Sequence, residues 1–219
     1  TDEEAENIWI DLGIPIERIY RFGDEDNWWG PAGLEGPCGP CSELHYDFGK
    51  QYGCQKSDCG PNCNNYDENQ KMTCTRFVEL WNLVFMEFNQ VDKNKRTNLP
   101  NKCVDTGMGL ERISALLQGT YDNYQTDIFK KVIKLIAKLS DSKKNKYENI
   151  SHRIIADHIR SSSHLIADGI LPSNEGRGYV LRRIMRRGMR HAHILGCKEP
   201  IFYKLSPIII KEMGDIYPE

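Results

Sequence analysis

Residues 77–88 read FVELWNLVFMEF, and this stretch is the strongest indication of the fold. Apolar side chains recur at nearly every second position: Val78, Leu80, Val84, Met86 and Phe88. Alternation of this kind predicts a half-buried β-strand, because successive side chains of a strand point to opposite faces. A shorter alternating stretch at residues 44–48 predicts a second strand. Apolar-rich strands of this length are typical of an antiparallel sheet in an α+β fold.

Helical patterns follow the strands. Residues 104–112 read VDTGMGLER, which predicts a short strand, a glycine turn and a helix that ends at Gly119. A further helix is predicted to begin near Thr126. Its apolar stripe consists of Phe129, Val132, Ile133, Ile136 and Leu139.

A polar, lysine-rich stretch at residues 141–150 indicates a linker, and the pattern beyond it is helical. We therefore expect two domains. The first covers residues 1–140 and includes a cysteine-rich insert at residues 50–75, and the second is an all-α domain at residues 151–219.

The formal net charge of −2 over 219 residues is an average of two unlike regions. Residues 1–47 contain twelve acidic and two basic side chains, whereas residues 151–196 contain eight arginines and three acids. This asymmetry indicates a polyanion partner for the second region, with a solvated basic helix face as the alternative. No apolar run approaches the ~20 residues that span a bilayer, and the acidic first residues are unlike a signal peptide. We expect a cytoplasmic protein without membrane partners, or one of an organellar matrix.

Three runs occur in the order in which they are found in the alanyl-tRNA synthetase family: GPCGPCSE at 36–43, ELWNLVFM at 79–86 and VDTGMGLER at 104–112. The sequence closely resembles that family, and residues 153–196 resemble its tRNA-recognition helices. The resemblance implies a class II synthetase-like antiparallel sheet with flanking helices, followed by an all-α helical tRNA-recognition domain. It also implies an enzyme that activates alanine with ATP and Mg²⁺ and transfers it to the 3′ end of tRNA-Ala.

The resemblance also assigns residues to the alanine and ATP sites. Asp105 would pair with the ammonium group of alanine, because a buried ammonium needs a countercharge. The residues implied around alanine are Trp29, Asn82, Val84, Asp105 and Gly107, and those implied around ATP are Gly107, Gly109 and Arg112. Asp105 and Arg112 carry the catalytic roles. For Trp29, Asn82 and Val84, ordinary packing is the alternative, although strand alternation does place Asn82 and Val84 on one face.

A stripe of arginines indicates the nucleic-acid contact. Arg182, Arg186 and Arg190 recur at helical spacing, while Val180, Ile184 and Leu195 are expected to face inward. Such a stripe suits phosphates, which supply affinity without base identity. The residues assigned to tRNA are Asn174, Arg177, Arg182, Arg183, Arg186 and Arg190. By resemblance Asn174 reads the acceptor stem, and a helix-capping asparagine is the alternative.

Four cysteines, Cys54, Cys59, Cys63 and Cys74, are separated by four, three and ten residues in a stretch rich in Gly, Asn and Asp. Four thiolates can form a tetrahedral structural Zn²⁺ site, and unliganded loop thiols are the alternative. The run Cys38-Gly39-Pro40-Cys41 resembles a redox pair, but no thioredoxin-like pattern follows it. The family resemblance makes that run a structured loop near the active site.

Two hypotheses about the chain remain open at this point. The family's first motif, most of its second, its editing domain and its C-terminal region have no match here, so we expect part of a longer protein that does not adenylate alanine by itself. The alternative is a noncatalytic, synthetase-like RNA-binding or scaffold subunit. The matches at Asp105, Arg112 and Asn82 favour the ligase.

Overall fold

The computed structural model describes residues 2–31, 33–57, 59–61, 63, 74–93, 95–140 and 150–218. The chain divides into two compact units, Thr1–Ile113 and Ser114–Glu219. The first unit contains the sheet, and the elements described in the second unit are helical. No helix among the described residues is long and apolar enough to cross a membrane.

The sheet unit is built on four antiparallel strands in the order β1-β2-β3-β4. These strands are β1 (Trp28–Trp29), β2 (Gly36–Asp47), β3 (Phe77–Asp92) and β4 (Lys95–Met108). Helices α1 (Glu3–Asp11) and α2 (Asp24–Asn27) precede the sheet, with 3₁₀ turns at Ile16–Arg18 and Lys50–Tyr52. The antiparallel sheet of an α+β fold, predicted from the alternation at residues 77–88, is confirmed.

The expectation of a loop at Cys38-Gly39-Pro40-Cys41 was wrong, because this run lies within β2. The strand register shifts between Cys38 and Cys41, and irregular positions of this kind tolerate proline. A Cβ atom at Gly39 would lie 1.9 Å from the carbonyl oxygen of Phe85, so only glycine lets the two backbones approach this closely. Both thiols are buried.

Strand β4 is longer than the short strand predicted at residues 104–106. Its side chains from Lys95 to Met108 are almost all exposed. A strand without a buried face has no apolar alternation, so only its last residues gave a sequence signal.

The helical unit contains α4 (Asp127–Leu139), α5 (Ile150–Ala167), α6 (Gly176–Ile194) and α7 (Phe202–Met213), while α3 (Leu110–Leu117) spans the division between the units. The predicted stripe of α4 is buried at Phe129, Val132, Ile133 and Ile136 and half-buried at Leu139. These side chains share one core with residues of α5 and α7, such as Ile155 and Leu205.

The division at residues 113 and 114 falls before the boundary expected at residues 141–150. The physical reason is the shared core, which joins α4 to the helices that follow it. Residues 141–149 lie outside the described residues, so the linker and the 1–140 and 151–219 domains stay a prediction.

Helix α6 differs from the expectation at Val180, whereas Leu195 packs against the helical core as expected and Ile184 is half-buried. Val180 is 53% exposed, whereas Gly178, Leu181, Gly188 and Ala192 are buried. A Cβ atom at Gly188 would lie 2.4 Å from the ring of Phe202, so the helix packs closely through its small residues. An interface of small residues produces no stripe of large apolar side chains in the sequence.

Candidate active site and nucleic-acid interface

The central rung of the sheet joins Glu43, Asn82 and Gly107, which lie opposite one another on β2, β3 and β4. The Nδ2 atom of Asn82 donates to Oε1 of Glu43 at 3.1 Å, and the other carboxylate oxygen of Glu43 contacts Nε2 of His45 at 3.0 Å. Oδ1 of Asn82 is buried and accepts no hydrogen bond from any residue that the structure describes. Glu43 thus orients the amide so that its acceptor oxygen is available to a ligand.

The next rung with side chains on the same face joins Cys41, Val84 and Asp105. Val84 is 6% exposed, whereas Asp105 is exposed. Side chains opposite each other in an antiparallel pair lie on the same face, so Asp105 and Val84 share a face with Asn82. A Cβ atom at Gly107 would meet no other atom within 4 Å, which leaves open space beside this face.

Cys41 adds no charge to this face at neutral pH. Burial, together with the negative charge of Glu43, raises the pKa of the Cys41 thiol to about 11. Its Sγ donates to the carbonyl oxygen of Asp26 at 3.8 Å. The ionised groups on the two rungs are therefore carboxylates, which favour a cationic ligand.

The two tryptophans of β1 have different environments. The ring centroids of Trp28 and Phe88 are 5.8 Å apart, and the Cζ atom of Arg96 lies over the Trp28 ring, 4.1 Å from its centroid. Trp29 lies opposite Gly39 and is 37% exposed. The contacts described for β1 thus run through Trp28, and the place of Trp29 beside alanine stays a prediction.

Arg112, which the sequence assigns to ATP, is held by a partner that the sequence reasoning missed. Its Nη1 atom donates to the backbone carbonyl of Glu79 at 2.7 Å and to Oε2 of the same residue at 3.0 Å. The side chain is 46% exposed, and its stem lies against Gly109. The turn at Gly109 therefore allows the guanidinium to lie next to the end of β4.

The four cysteines of the insert converge, although they span 21 positions of sequence. The Sγ atoms of Cys54, Cys59, Cys63 and Cys74 all lie within 4.8 Å of one another. Burial raises the pKa of Cys59. Burial acts in the same direction on Cys74, but hydrogen bonds from backbone N–H groups and neighbouring thiols outweigh it and lower the pKa of Cys74 to about 7. The arrangement offers four soft ligand atoms to one metal ion.

The arginines assigned to tRNA are all exposed on α6: Arg177, Arg182, Arg183, Arg186 and Arg190. Arg182 donates through Nη1 to the amide oxygen of Asn174. The N-cap of α6 is Glu175, so Asn174 does not cap this helix. Burial, followed by the positive charges of Arg187 and Arg190, lowers the pKa of His191 on the same helix.

Two functional candidates were missed from the sequence, Glu43 and Glu79. Glu43 lies in the GPCGPCSE run, but its partner Asn82 is 39 residues further along the chain. Glu79 precedes Asn82 on β3 and contacts Arg112 across 33 residues. The only sequence signal for either residue was an acidic side chain within a matched run.

A family model described as "tRNA synthetases class II (A)" matches residues 1–219. The chain belongs to this family. It is 52% identical over 219 residues to the alanine–tRNA ligase of Rhizorhabdus wittichii, 51% over 220 to that of Paramagnetospirillum magneticum and 48% over 223 to that of Petrotoga mobilis. All of the chain is covered in each case, against 23%, 24% and 24% of the relative. The chain therefore spans about a quarter of the length of these ligases.

Proposed function

We propose that this chain supplies the alanine site and the acceptor-stem contact of an alanine–tRNA ligase of the cytoplasm. The observation that carries the proposal is the buried Oδ1 of Asn82, which has no hydrogen-bond partner among the described residues and lies on the sheet face that carries Asp105. The ligase names of its relatives supply the reaction.

The two rungs suit a small amino acid. An ammonium group brings three N–H donors and one positive charge, for which Asn82 offers an acceptor and Asp105 a carboxylate. Val84 provides an apolar contact between them, which suits a methyl side chain. Glu43 acts through Asn82 as a positioning residue, because its hydrogen bond keeps the amide from turning its donors toward the ammonium.

Gly107, Gly109 and Arg112 would bind ATP. Alanine carboxylate attacks the α-phosphate, the alanyl-adenylate forms and pyrophosphate leaves. Arg112 would stabilise the negative charge of the triphosphate, with Glu79 orienting its guanidinium. Mg²⁺ would accompany the ATP phosphates. The terminal ribose hydroxyl of tRNA then attacks the adenylate carbonyl and releases AMP, and these steps depend mainly on positioning and charge.

The arginines of α6 would contact the phosphates of the tRNA-Ala acceptor stem. Asn174 would read a base edge in the shallow minor groove of the RNA helix. Because Arg182 occupies its amide oxygen, Asn174 would present N–H donors to the base. A structural Zn²⁺ in the four-cysteine cluster belongs to the same proposal, but it takes no part in the reaction, since four thiolates leave no open coordination position.

The test is alanine-dependent pyrophosphate exchange by the protein expressed from its whole reading frame. Asp105→Asn and Asn82→Ala should each lower kcat/KM for alanine by about tenfold or more, since a hydrogen bond to a charged group is worth about 1.5–3 kcal/mol. KM for ATP should change little in both variants.

Asp11→Asn, an exposed carboxylate at the end of α1, is the matched control and should leave exchange unchanged. Glu43→Gln should raise KM for alanine while the protein stays folded. Unaltered exchange in Asp105→Asn would refute the alanine site. Absence of exchange in the unaltered protein, with RNA binding retained, would favour the noncatalytic subunit instead.

A further inference from the structure

We propose that Cys54, Cys59, Cys63 and Cys74 hold a Zn²⁺ ion that joins the ends of β2 and β3, and that the guanidinium of Arg76, oriented by its ion pair with Asp47, is the cation that faces it. The role given to the ion pair rests on zinc occupying the cluster. The cluster's geometry, its place at the strand ends and the position of the ion pair each support the proposal.

The sulfur positions fit a single tetrahedral ion. Zn–S bonds of about 2.3 Å place tetrahedral sulfurs about 3.8 Å apart. The Sγ atoms of Cys54 and Cys63 are 3.4 Å apart, as are those of Cys59 and Cys74, and all four lie within 4.8 Å. Because a disulfide needs about 2.05 Å, these are four separate ligand atoms. A cluster of several irons would hold its thiolates further apart than a single ion does.

The cluster lies where the paired strands end. Asp47 and Phe77 form the last rung between β2 and β3. Two further backbone hydrogen bonds continue the pairing, from Phe48 N to Arg76 O at 2.9 Å and from Thr75 N to Tyr52 O at 3.0 Å.

The ligands themselves lie just beyond these bonds. Cys54 lies two residues after Tyr52, and Cys74 immediately precedes Thr75. A metal ion bound to both would join the two chain segments at the point where the backbone pairing stops.

The described part of the connection between β2 and β3 buries little apolar surface. Gly60 and Cys74 are its buried residues among those the structure describes between 48 and 76. The burial of these described residues contributes little toward the entropy of ordering them. Metal binding commonly supplies that free energy in small loop-rich modules.

Arg76 provides a guanidinium beside the cluster. A Zn²⁺ ion with four thiolates carries a net charge of −2, which favours a nearby cation. The guanidinium of Arg76 interacts with the Cys59 side chain. Its Nε and Nη2 atoms donate to the two carboxylate oxygens of Asp47 at 2.7 and 2.5 Å. Asp47 therefore orients the cation that faces the cluster and links it to the end of β2.

The experiment measures metal content and metal affinity of the chain purified under reducing conditions without a metal-affinity tag. Elemental analysis should find about one zinc per chain. Competition with a chromophoric chelator gives the affinity. Arg76→Met should weaken zinc binding about 10- to 100-fold, as loss of an outer-shell partner does, and Arg76→Lys should recover part of that loss.

Matched variants separate ligands from other cysteines. Cys59→Ser and Cys63→Ser should lose zinc, whereas Cys103→Ser and Cys197→Ser, outside the cluster, should keep it. Arg96→Met is the control for the removal of a surface cation. If a ligand variant does not fold, Co²⁺ substitution in the unaltered chain should give the visible absorption of a tetrahedral thiolate site.

The outcomes test the zinc site and the role of Arg76 separately. Iron in place of zinc, no stoichiometric metal, or zinc that survives Cys59→Ser would overturn the zinc site. Stoichiometric zinc whose affinity is the same in Arg76→Met as in the unaltered chain would overturn only the role of Arg76. Alanine-dependent exchange is measured separately, so neither result depends on the proposed activity.

Discussion

The helical unit and the sheet unit are stabilised in different ways. In the helical unit, Val132, Ile133, Ile136, Ile155 and Leu205 are fully buried around one core. The apolar residues buried in the described part of the sheet unit are few and mostly small: Ala5, Cys38, Cys41, Cys74 and Val84. The sheet unit relies more on strand pairing and polar contacts, which also position its candidate site. The positions of the site residues therefore depend more on the pairing register of β2, β3 and β4 than on the packing of a core.

The largest effect is expected from the helical core. Ile133→Ala removes a side chain that is 0% exposed and should lower the free energy of unfolding by about 2–5 kcal/mol. Urea unfolding followed by helical circular dichroism measures it. Ile210→Ala, on α7 and 67% exposed, is the control and should stay within about 0.5 kcal/mol. Equal losses in the two variants would show that the buried core is not what stabilises the helical unit.

A smaller effect is expected on RNA binding, with stability unchanged. Arg186→Ala should weaken binding of a tRNA-Ala acceptor-stem hairpin regardless of base sequence. It should also reduce the slope of log K against log salt concentration by about one, because one phosphate contact is lost. Fluorescence anisotropy over a salt series measures both. Lys134→Ala, which removes an exposed cation from α4, should change neither.

Unlike Arg186→Ala, the Asn174→Ala variant should have an effect that depends on the base sequence of the RNA. It should reduce the preference for a hairpin with a G·U pair over one with a G·C pair. If both hairpins lost the same affinity, Asn174 would be a backbone contact and its proposed role in identity would be wrong.

The smallest effect is a pH dependence at the start of α4. A hydrogen bond from Gln118, with another from the backbone N–H of Ile128, lowers the pKa of Asp127. A lowered folded pKa gives stability that is present above the ordinary aspartate value and is lost as pH falls through the folded value. Because Asp127 is exposed and solvent screens its charge at the start of the helix, Asp127→Asn should cost only about 0.3–1 kcal/mol at pH 7 and nothing in strong acid.

Urea unfolding at several pH values checks this prediction. Asp215→Asn, an exposed aspartate beyond α7, serves as the control. A loss for Asp127→Asn that persisted in strong acid would show that the side chain acts through something other than its charge.

Local patterns predicted much of the fold. The alternation around Val84 and the stripe of α4 both correspond to observed elements, because periodicity reports which face of one element is buried. Periodicity gives no such signal in β4, which has no buried face, or at the α6 interface, where the small residue Gly188 packs against Phe202.

The candidate site was predictable only in part. Asn82 and Val84 share a face because a strand repeats every two residues, and that follows from the sequence. Their partners Glu43 and Asp105 depend on the registers of β2 and β4 against β3, including shifts that local sequence does not specify.

Local sequence was sufficient to identify the family, the strands and helices with a clear period, the arginine-rich face of α6 and four cysteines at metal-compatible spacing. Three features became evident only in the folded chain: Asn82 keeps a buried acceptor while Glu43 accepts from its donor, Glu79 holds Arg112, and four sulfurs meet beside Arg76. The reason is range: side-chain period is a property of neighbouring residues, whereas these contacts form between segments that meet only when the strands pair.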